Sequence, residues 1–242
     1  MLDNVNEILI TLTVALAIAA VALRVLLRVN KVEWIKRFVN WVLEYVDVGL
    51  SAIVIALVIR SFVVEPFRIP SSSMEDTLLI GDQLFVNRFI YGMRIPFVHS
   101  RPLSVRAPRR GDIIVFVPPQ DRTKDFIKRC IGTPGDVLEI KEDVLWINGQ
   151  KLDEPYVVHK RIGMVPDFMR NMRKFTIPPG KYFMMGDNRD LSDDSRRWGF
   201  ANFEDLKGNA LFTFFSWNSD PTIPAWKILR KIRWGRMFRA IH

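Results

Sequence analysis

The sequence predicts a mainly β domain joined to two N-terminal helices that span a membrane. Two long apolar runs lie within the first 64 residues, and about 20 apolar residues are enough for a helix to cross a bilayer. From residue 81 onward, short runs rich in branched and aromatic residues alternate with Gly, Pro, Asn and Asp, as in domains built from many short strands. The single cysteine, Cys130, excludes both an intramolecular disulfide and a zinc cage of cysteines within one chain.

The first apolar run covers residues 8–29 and is interrupted only by Arg24 and Arg28. A cleaved signal peptide normally has a basic residue before its apolar core and a small-residue cleavage site soon after it. Here Asp3 and Glu7 precede the run and the two arginines lie near its end. This pattern favours a helix that stays attached as an anchor.

The second apolar run lies at 48–64 and predicts a span over about 46–64. Its one charged residue, Arg60, can extend to the membrane surface from near the end of the span. The alternative is a buried helical hairpin in a soluble protein, which the length of the first run disfavours.

The charges around the two spans predict their orientation. Five basic residues follow the core of the first run and precede the second, whereas none precedes the first; they are Arg24, Arg28, Lys31, Lys36 and Arg37. Loops rich in Lys and Arg stay in the cytoplasm. We therefore expect residues 1–64 to form a membrane anchor with a cytoplasmic loop, and residues 65–242 to form an extracytoplasmic β-rich domain.

Two segments of the outer region stand out. The stretch at about 150–175 is typical of a longer excursion or hairpin extension from the β domain. In the predicted strand DFIKRC, alternation of faces places Lys128 beside Phe126 and Cys130, with Ile127 and Arg129 on the other face. A lysine therefore lies among apolar neighbours.

The formal charge of +9, from 35 basic and 26 acidic residues, suits an acidic partner. Six basic residues fall in the last sixteen positions, KILRKIRWGRMFRAIH, where Trp234, Met237 and Phe238 are interleaved with them. For an anchored domain that faces outward, membrane lipid is favoured over nucleic acid as the partner of this tail. A solvated end of the last structured element is an equal alternative.

Several common catalytic signatures are absent from the sequence. It contains neither H-E-x-x-H nor C-x-x-C, no G-x-S-x-G, and no serine followed by lysine three positions on. A Ser-His-Asp triad would have to use His99 or His159. The acidic stretch 187–194 suggests calcium as an alternative, but it lacks the glycine and the terminal glutamate of an EF-hand loop. We expect no metal and no cofactor.

The stretch RIPSSSMEDTL, residues 68–78, has two interpretations. Ser73 and Asp76 are spaced as a helix-capping box ahead of TLLI. A serine at such a turn also lies near backbone N–H groups that can stabilise an oxyanion, and Lys128 can serve as its base if burial lowers the pKa of the amine. The residues alone make Ser73 and Lys128 a candidate dyad, with a capped helix and a solvent-exposed strand lysine as the alternatives.

Four segments together resemble type I signal peptidase, the bacterial leader peptidase that removes signal peptides from exported proteins. In chain order they are IPSSSMEDTLLIGD, RRGDIIVF, DFIKRCIGTPGD and GDNRDLSDDSRRWG. The resemblance implies an antiparallel β fold and a serine endopeptidase of the bacterial cytoplasmic membrane, with its catalytic domain on the periplasmic side. Its substrates would be preproteins that carry signal peptides. We expect a monomer that uses no cofactor and binds no nucleic acid.

The resemblance also implies a role for each matching residue. Ser73 is the nucleophile, Lys128 is the general base, and the Ser71 hydroxyl joins the Ser73 backbone N–H in the oxyanion hole. The residues expected to orient the lysine and to support the site by an ion pair are Ser192, Asp194 and Arg196. The positions expected to line pockets for small substrate side chains are Ile69, Pro70, Leu78, Phe126 and Ile127.

Two positions depart from the pattern of the family. Asp76 stands where the family usually has proline, and Ser72 stands where it has glycine between the two functional serines. The carboxylate of Asp76 opposes a nearby oxyanion unless it points away or is neutralised, so the departures bear on substrate range. The non-enzymatic alternative is an anchored β domain that binds lipid or a partner protein.

The orientation of the spans predicts which parts of the chain an external protease can reach. Protease added to intact spheroplasts should cleave the region after residue 65 and spare the loop at 31–37, because only the former lies outside the membrane. Fragment masses identify the sites. Cleavage confined to 31–37 would contradict the predicted topology.

Overall fold

In the computed structural model, the chain forms two compact units, Met1–Val63 and Val64–His242. The residues described are 2–29, 32–62, 64–92, 101, 104–160, 165–218, 220, 222, 224 and 226–241, with side chains described outside 2–6, 26–29, 58–62 and 64. Several residues used above therefore lie outside the described set: Lys31, His99 and His242, together with the side chains of Arg28 and Arg60.

The first unit consists of two long helices, α1 (Leu2–Val29) and α2 (Glu33–Phe62). The stretches long and apolar enough to cross a membrane are Glu7–Val25 and Glu33–Leu57. The second helix begins earlier than the predicted span at 46. Its first half contains neither Gly nor Pro, and Glu33 lies in its first turn, where a carboxylate interacts favourably with the helix dipole.

The second unit is mainly β. Its strands are β1 (Val64–Arg68), β2 (Asp82–Asn87), β3 (Ile113–Phe116), β4 (Phe126–Gly132), β5 (Val137–Lys141), β6 (Val144–Ile147), β7 (Gln150–Lys151), β8 (Met172–Thr176), β9 (Lys181–Met185), β10 (Ala201–Asn202), β11 (Leu206–Ser216) and β12 (Arg239–Ala240). Three one-turn helices accompany them: α3 (Asp167–Arg170), α4 (Ser195–Trp198) and α5 (Ile228–Lys231). The predicted fold class, a mainly β domain after two apolar helices, is confirmed.

The strands form two antiparallel sheets. The larger sheet has the order β1-β2-β11-β3-β4-β9-β10, and β12 also pairs with β11. The smaller sheet has the order β7-β6-β5-β8. The excursion expected at about 150–175 corresponds to the later part of this smaller sheet, with α3 between β7 and β8.

Two tight turns shape the smaller sheet. Glu142 and Asp143 join β5 to β6 with φ of 48° and 66°, and Asn148 and Gly149 join β6 to β7 with φ of 53° and 81°. Two consecutive residues with positive φ are the mark of turns whose twist matches that of a hairpin. Asn-Gly is the sequence most often found in such turns.

Buried apolar residues hold the turn at 71–78 against the larger sheet. Met74 and Leu78 are fully buried and pack in one cluster with Ile69, Ile113 and Ile127. Burial of side chains of this size contributes about 1.5–3 kcal/mol each relative to exposure. The position of the turn beside β4 is therefore fixed by the core beneath it.

The basic C-terminal segment is docked on the larger sheet. Arg236 donates from Nη2 to Asp82 Oδ2 at 2.7 Å and to the carbonyl of Thr77 at 2.8 Å. The carboxylate of Asp82 is fully buried and also accepts from the Ser216 hydroxyl at 2.6 Å. The guanidinium thus joins the end of the chain to β2 and to the turn at 71–78.

Replacement of Arg236 by Met should destabilise the protein, because it leaves the buried Asp82 carboxylate with fewer partners. We expect a loss of about 2 kcal/mol in the free energy of unfolding, measured as a lower Tm of the full chain in detergent. The exposed Arg239, on β12, supplies the matched control: Arg239→Met should change stability by less than about 0.5 kcal/mol. Equal losses in the two variants would contradict the account of Arg236.

Candidate active site

Ser73 and Lys128 meet in the interior of the second unit. Lys128 Nζ donates to Ser73 Oγ at a distance of 2.5 Å. The side chains come from elements 55 residues apart in sequence, yet both residues are buried, with exposed fractions of 6% and 4%. The solvent-exposed alternative for the lysine is therefore wrong.

Strand β4 fixes the position of the lysine. It lies between β3 and β9 in the larger sheet, and Lys128 is in register with Ile114 of β3. The Phe126 ring lies beside the amine, with Nζ 5.4 Å from its centroid. The central strand position and the apolar neighbours together keep water away from the amine.

The turn that carries Ser73 is not a helix, so the capping-box interpretation is wrong. Residues 71–78 form consecutive turns without a helical segment. In a helix the carbonyl of Ser73 would accept from the backbone N–H of Thr77. Here it accepts from the Asn188 backbone N–H at 3.1 Å, and the Asn188 side chain donates to the Ser72 carbonyl at 3.2 Å. The backbone N–H of a residue in a distant loop therefore takes the place that the Thr77 N–H would have in a helix.

Burial lowers the pKa of Lys128 to about 8, because the ammonium form loses its hydration. The carboxylates of Asp194, Asp193 and Asp187 act in the opposite direction. Below about pH 8 the neutral fraction of the amine falls tenfold for each pH unit. Near neutral pH a useful fraction of the amine can still accept a proton.

A cavity of about 310 Å³ lies beside the pair, and we call it the serine cavity. Its lining comprises Phe67, Pro70, Ser71, Ser73, Lys124, Asp125, Phe126, Ile127, Lys128, Leu191 and Asp193. Three of the five expected pocket residues therefore face this space. Ile69 and Leu78 do not line it, since they are buried in the core cluster beneath the turn.

The neighbouring serines occupy different positions. Ser71 Oγ lies 3.3 Å from Ser73 Oγ and lines the serine cavity. Ser192 is 5% exposed, and its hydroxyl interacts with the carboxylate of Asp194, whose pKa it helps to lower. A Cβ added to Gly186 would lie 2.3 Å from Ser192 Oγ and 2.4 Å from the Ser73 carbonyl. Glycine at 186 lets the loop pack directly against the serine turn.

Asp194 and Arg196 form a buried ion pair at the start of α4. Arg196 Nε donates to Asp194 Oδ1 and Nη2 donates to Oδ2, both at 2.9 Å. Burial raises the pKa of Asp194, but the Arg196 guanidinium and the hydrogen bonds from Ser192 and Gly186 together outweigh this effect, and the pKa is lowered. The carboxylate also accepts from the Gly186 backbone N–H at 3.1 Å, which ties the pair to the loop beside Ser73.

A second buried network links β4 to the serine turn, and sequence reasoning missed it. Arg129 donates from Nε and Nη2 to the two oxygens of Asp187 at 2.8 and 2.7 Å. Asp187 Oδ2 also accepts from the Thr77 hydroxyl at 2.6 Å. The guanidinium lies over the Tyr156 ring, 3.8 Å from its centroid. The available signal was Arg129 directly after Lys128, in a predicted strand whose other residues are mostly apolar.

Asp76, the position that departs from the family, has a cationic partner. Lys160 Nζ lies 3.3 Å from Asp76 Oδ1 and 3.1 Å from Glu75 Oε1. The Asp76 side chain is 70% exposed. The carboxylate therefore points to solvent and is partly neutralised, so it does not oppose an oxyanion at Ser73.

Two further alternatives were a histidine base and a calcium site. His159 Nδ1 lies 2.9 Å from Asp190 Oδ1, whereas the amine that contacts the Ser73 hydroxyl belongs to Lys128. Among the described residues there is no group of three or more His, Cys, Asp or Glu side chains arranged to hold a metal ion. In the acidic loop, Asp187 and Asp194 instead form ion pairs with arginines.

The β fold and the buried contact between Ser73 and Lys128 are typical of a serine hydrolase. The family model described as "Signal peptidase, peptidase S26" matches residues 42–217. The chain therefore belongs to this signal peptidase family and is a serine endopeptidase, which confirms the resemblance found in the sequence.

The chain is similar to several known signal peptidases. Signal peptidase I of Pseudomonas aeruginosa is 36% identical over 206 residues, which cover 72% of each chain. Signal peptidase I of Rickettsia prowazekii is 35% identical over 211 residues, which cover 69% of this chain and 80% of that one. A solved signal peptidase I from Enterococcus faecalis is 35% identical, with a TM-score of 0.36 over 43% of this chain and 97% of that one.

Proposed function

We propose that the chain is a membrane-bound endopeptidase that cleaves N-terminal signal peptides from exported preproteins, with Ser73 as nucleophile and Lys128 as general base. The observation that carries the proposal is the buried contact between Ser73 Oγ and Lys128 Nζ at 2.5 Å. A serine hydroxyl is a weak nucleophile unless an adjacent base accepts its proton. The neutral amine of Lys128 is such a base.

The reaction proceeds through an acyl-enzyme. Lys128 accepts the proton of the Ser73 hydroxyl as the oxygen attacks the carbonyl carbon of the scissile bond. The resulting ammonium gives this proton to the leaving amine, which becomes the N-terminus of the mature protein. Lys128 then accepts a proton from water, the hydroxide attacks the ester, and the proton returns to Ser73 Oγ. Ser73, Lys128 and the attacking water thus account for every proton that is transferred.

The oxyanion that forms at the carbonyl needs donors that are in place beforehand. We assign this role to the Ser71 hydroxyl and the Ser73 backbone N–H. The distance of 3.3 Å between the two serine hydroxyls supports the assignment, because it places Ser71 Oγ next to the attacking atom. Removal of one such donor commonly costs about 10²–10³ in kcat.

We assign supporting roles to the loop at 186–196. Asp194 and Arg196 hold the loop in place through their buried pair, and Arg129 with Asp187 fastens it to β4. Ser192 is assigned to orient Lys128 during the reaction. Its hydroxyl is buried in the loop that packs against the serine turn and interacts with Asp194, the carboxylate with the largest effect on Lys128.

The serine cavity is proposed to hold the small side chains that precede the scissile bond. Pro70, Phe126 and Ile127 supply apolar walls, and apolar pockets select substrates mainly by excluding larger side chains. Ile69 and Leu78 act from beneath, since their burial in the core fixes the floor of the turn.

The location belongs to the same proposal: two spans in the bacterial cytoplasmic membrane, with the β domain on the periplasmic side. Two helices of sufficient length and apolarity support it, as do the basic residues between them. Exposed apolar side chains of the C-terminal segment support contact with membrane lipid; they are Trp226, Ile228, Leu229, Trp234 and Phe238. The enzyme is proposed to act as a monomer without a cofactor and without nucleic acid.

Two substitutions test the dyad. Ser73→Ala removes the nucleophile and Lys128→Met replaces the amine by an apolar chain of similar length, so each should lower kcat for preprotein cleavage by about 10³-fold or more. Both variants should unfold at a Tm near that of the wild type. His159→Ala is the matched control and should cleave normally.

The outcome that contradicts the assignment is cleavage by folded Lys128→Met at the wild-type rate. Loss of activity in His159→Ala together with normal activity in Lys128→Met would instead identify a histidine as the base.

A further inference from the structure

A second cavity, of about 430 Å³, borders the same turn a few residues beyond the serine cavity. Its walls come from the turn, from the segment after β7, from β11 and from β12. The residues that matter here are Asp76, Thr77, Tyr156, Val158, Arg239 and Ala240. None of the residues that line it also lines the serine cavity. The turn therefore contributes to two separate spaces.

The second cavity lies within reach of a peptide that is cleaved at Ser73. Ser73 and Asp76 are three residues apart, so their Cα atoms are at most about 11 Å apart. An extended peptide rises about 3.3 Å per residue. A residue within about three positions after the scissile bond can thus lie at Asp76, while the residues before the bond occupy the serine cavity.

The chemistry of the cavity suits a peptide. Tyr156, Val158 and Ala240 are uncharged, whereas Asp76 and Arg239 offer an acceptor and a donor to the backbone or side chains of an extended chain. The Lys160 ammonium contacts the carboxylates of both Glu75 and Asp76, so two carboxylates and one ammonium lie beside the cavity here. The Asp76 side chain is 70% exposed and available to a ligand.

We propose that the second cavity binds the mature part of the preprotein within about three residues of the cleaved bond, and that Asp76 favours basic over acidic residues there. This inference rests on the proposed function. It gives Asp76, which replaces the usual proline of the family, a role in substrate selection. The preference should be about two- to fivefold, the size expected of an exposed ion pair.

The test uses the full chain in detergent and three substrates. Two preproteins differ only by Lys or Glu at the third residue after the scissile bond. The third is a short ester that carries the signal-peptide residues and a leaving group but no mature segment. Ala240→Trp fills the cavity from the exposed strand β12, and Val105→Trp adds the same side chain at an exposed position that lines neither cavity.

In Ala240→Trp, the ratio of kcat/KM for the Lys preprotein to that for the ester should fall about tenfold, through KM. Val105→Trp should leave the ratio unchanged. Asp76→Asn should reduce the preference for the Lys preprotein over the Glu preprotein to about one.

Three outcomes would overturn the inference while leaving the proposed function intact. They are an unchanged ratio in Ala240→Trp, an equal loss on preprotein and ester, and a loss that appears only in lipid vesicles, which would identify lipid as the occupant. Failure of the wild-type chain to cleave any of the three substrates would overturn the proposed function itself.

Discussion

Burial of the Lys128 amine against the Ser73 hydroxyl is the constraint on which the rest of the site depends. An exposed lysine is protonated at neutral pH and cannot act as a base. Loss of hydration lowers the pKa of this amine to about 8, and the same burial requires a central strand on one side and a packed turn on the other. The larger sheet, the core beneath Met74 and the loop at 186–196 all serve this requirement.

Buried ion pairs make the loop rigid enough for this purpose. A buried pair contributes little net stability, but removal of one member leaves an unpaired charge in the interior. Arg129 with Asp187, Asp194 with Arg196, and Arg189 with Glu154 are all nearly fully buried. Each pair joins the loop to another segment or joins two residues within the loop. The loop therefore has few alternative arrangements. The carboxylates also limit how far the pKa of Lys128 can fall.

The sequence predicted the elements that depend on local pattern. The apolar runs predicted α1 and the second half of α2, and the alternation in DFIKRC placed Lys128 among apolar neighbours while leaving its burial open. It could not decide whether Ser73 began a helix, since the answer depends on Asn188, more than a hundred residues away. The roles of the serines came from the resemblance to a family. The second cavity was not foreseeable, because its walls come from four distant segments.

Direct titration of Lys128 tests the central claim most closely. NMR of the full chain with isotopically labelled lysine, compared with Lys128→Met to assign the signal, reports protonation of the amine. The account predicts a midpoint near pH 8, and kcat/KM for preprotein should fall about tenfold per pH unit below that midpoint, since only the neutral amine accepts the proton. A midpoint near the ordinary value of 10.5, or a rate that does not change between pH 5 and 8, would contradict it.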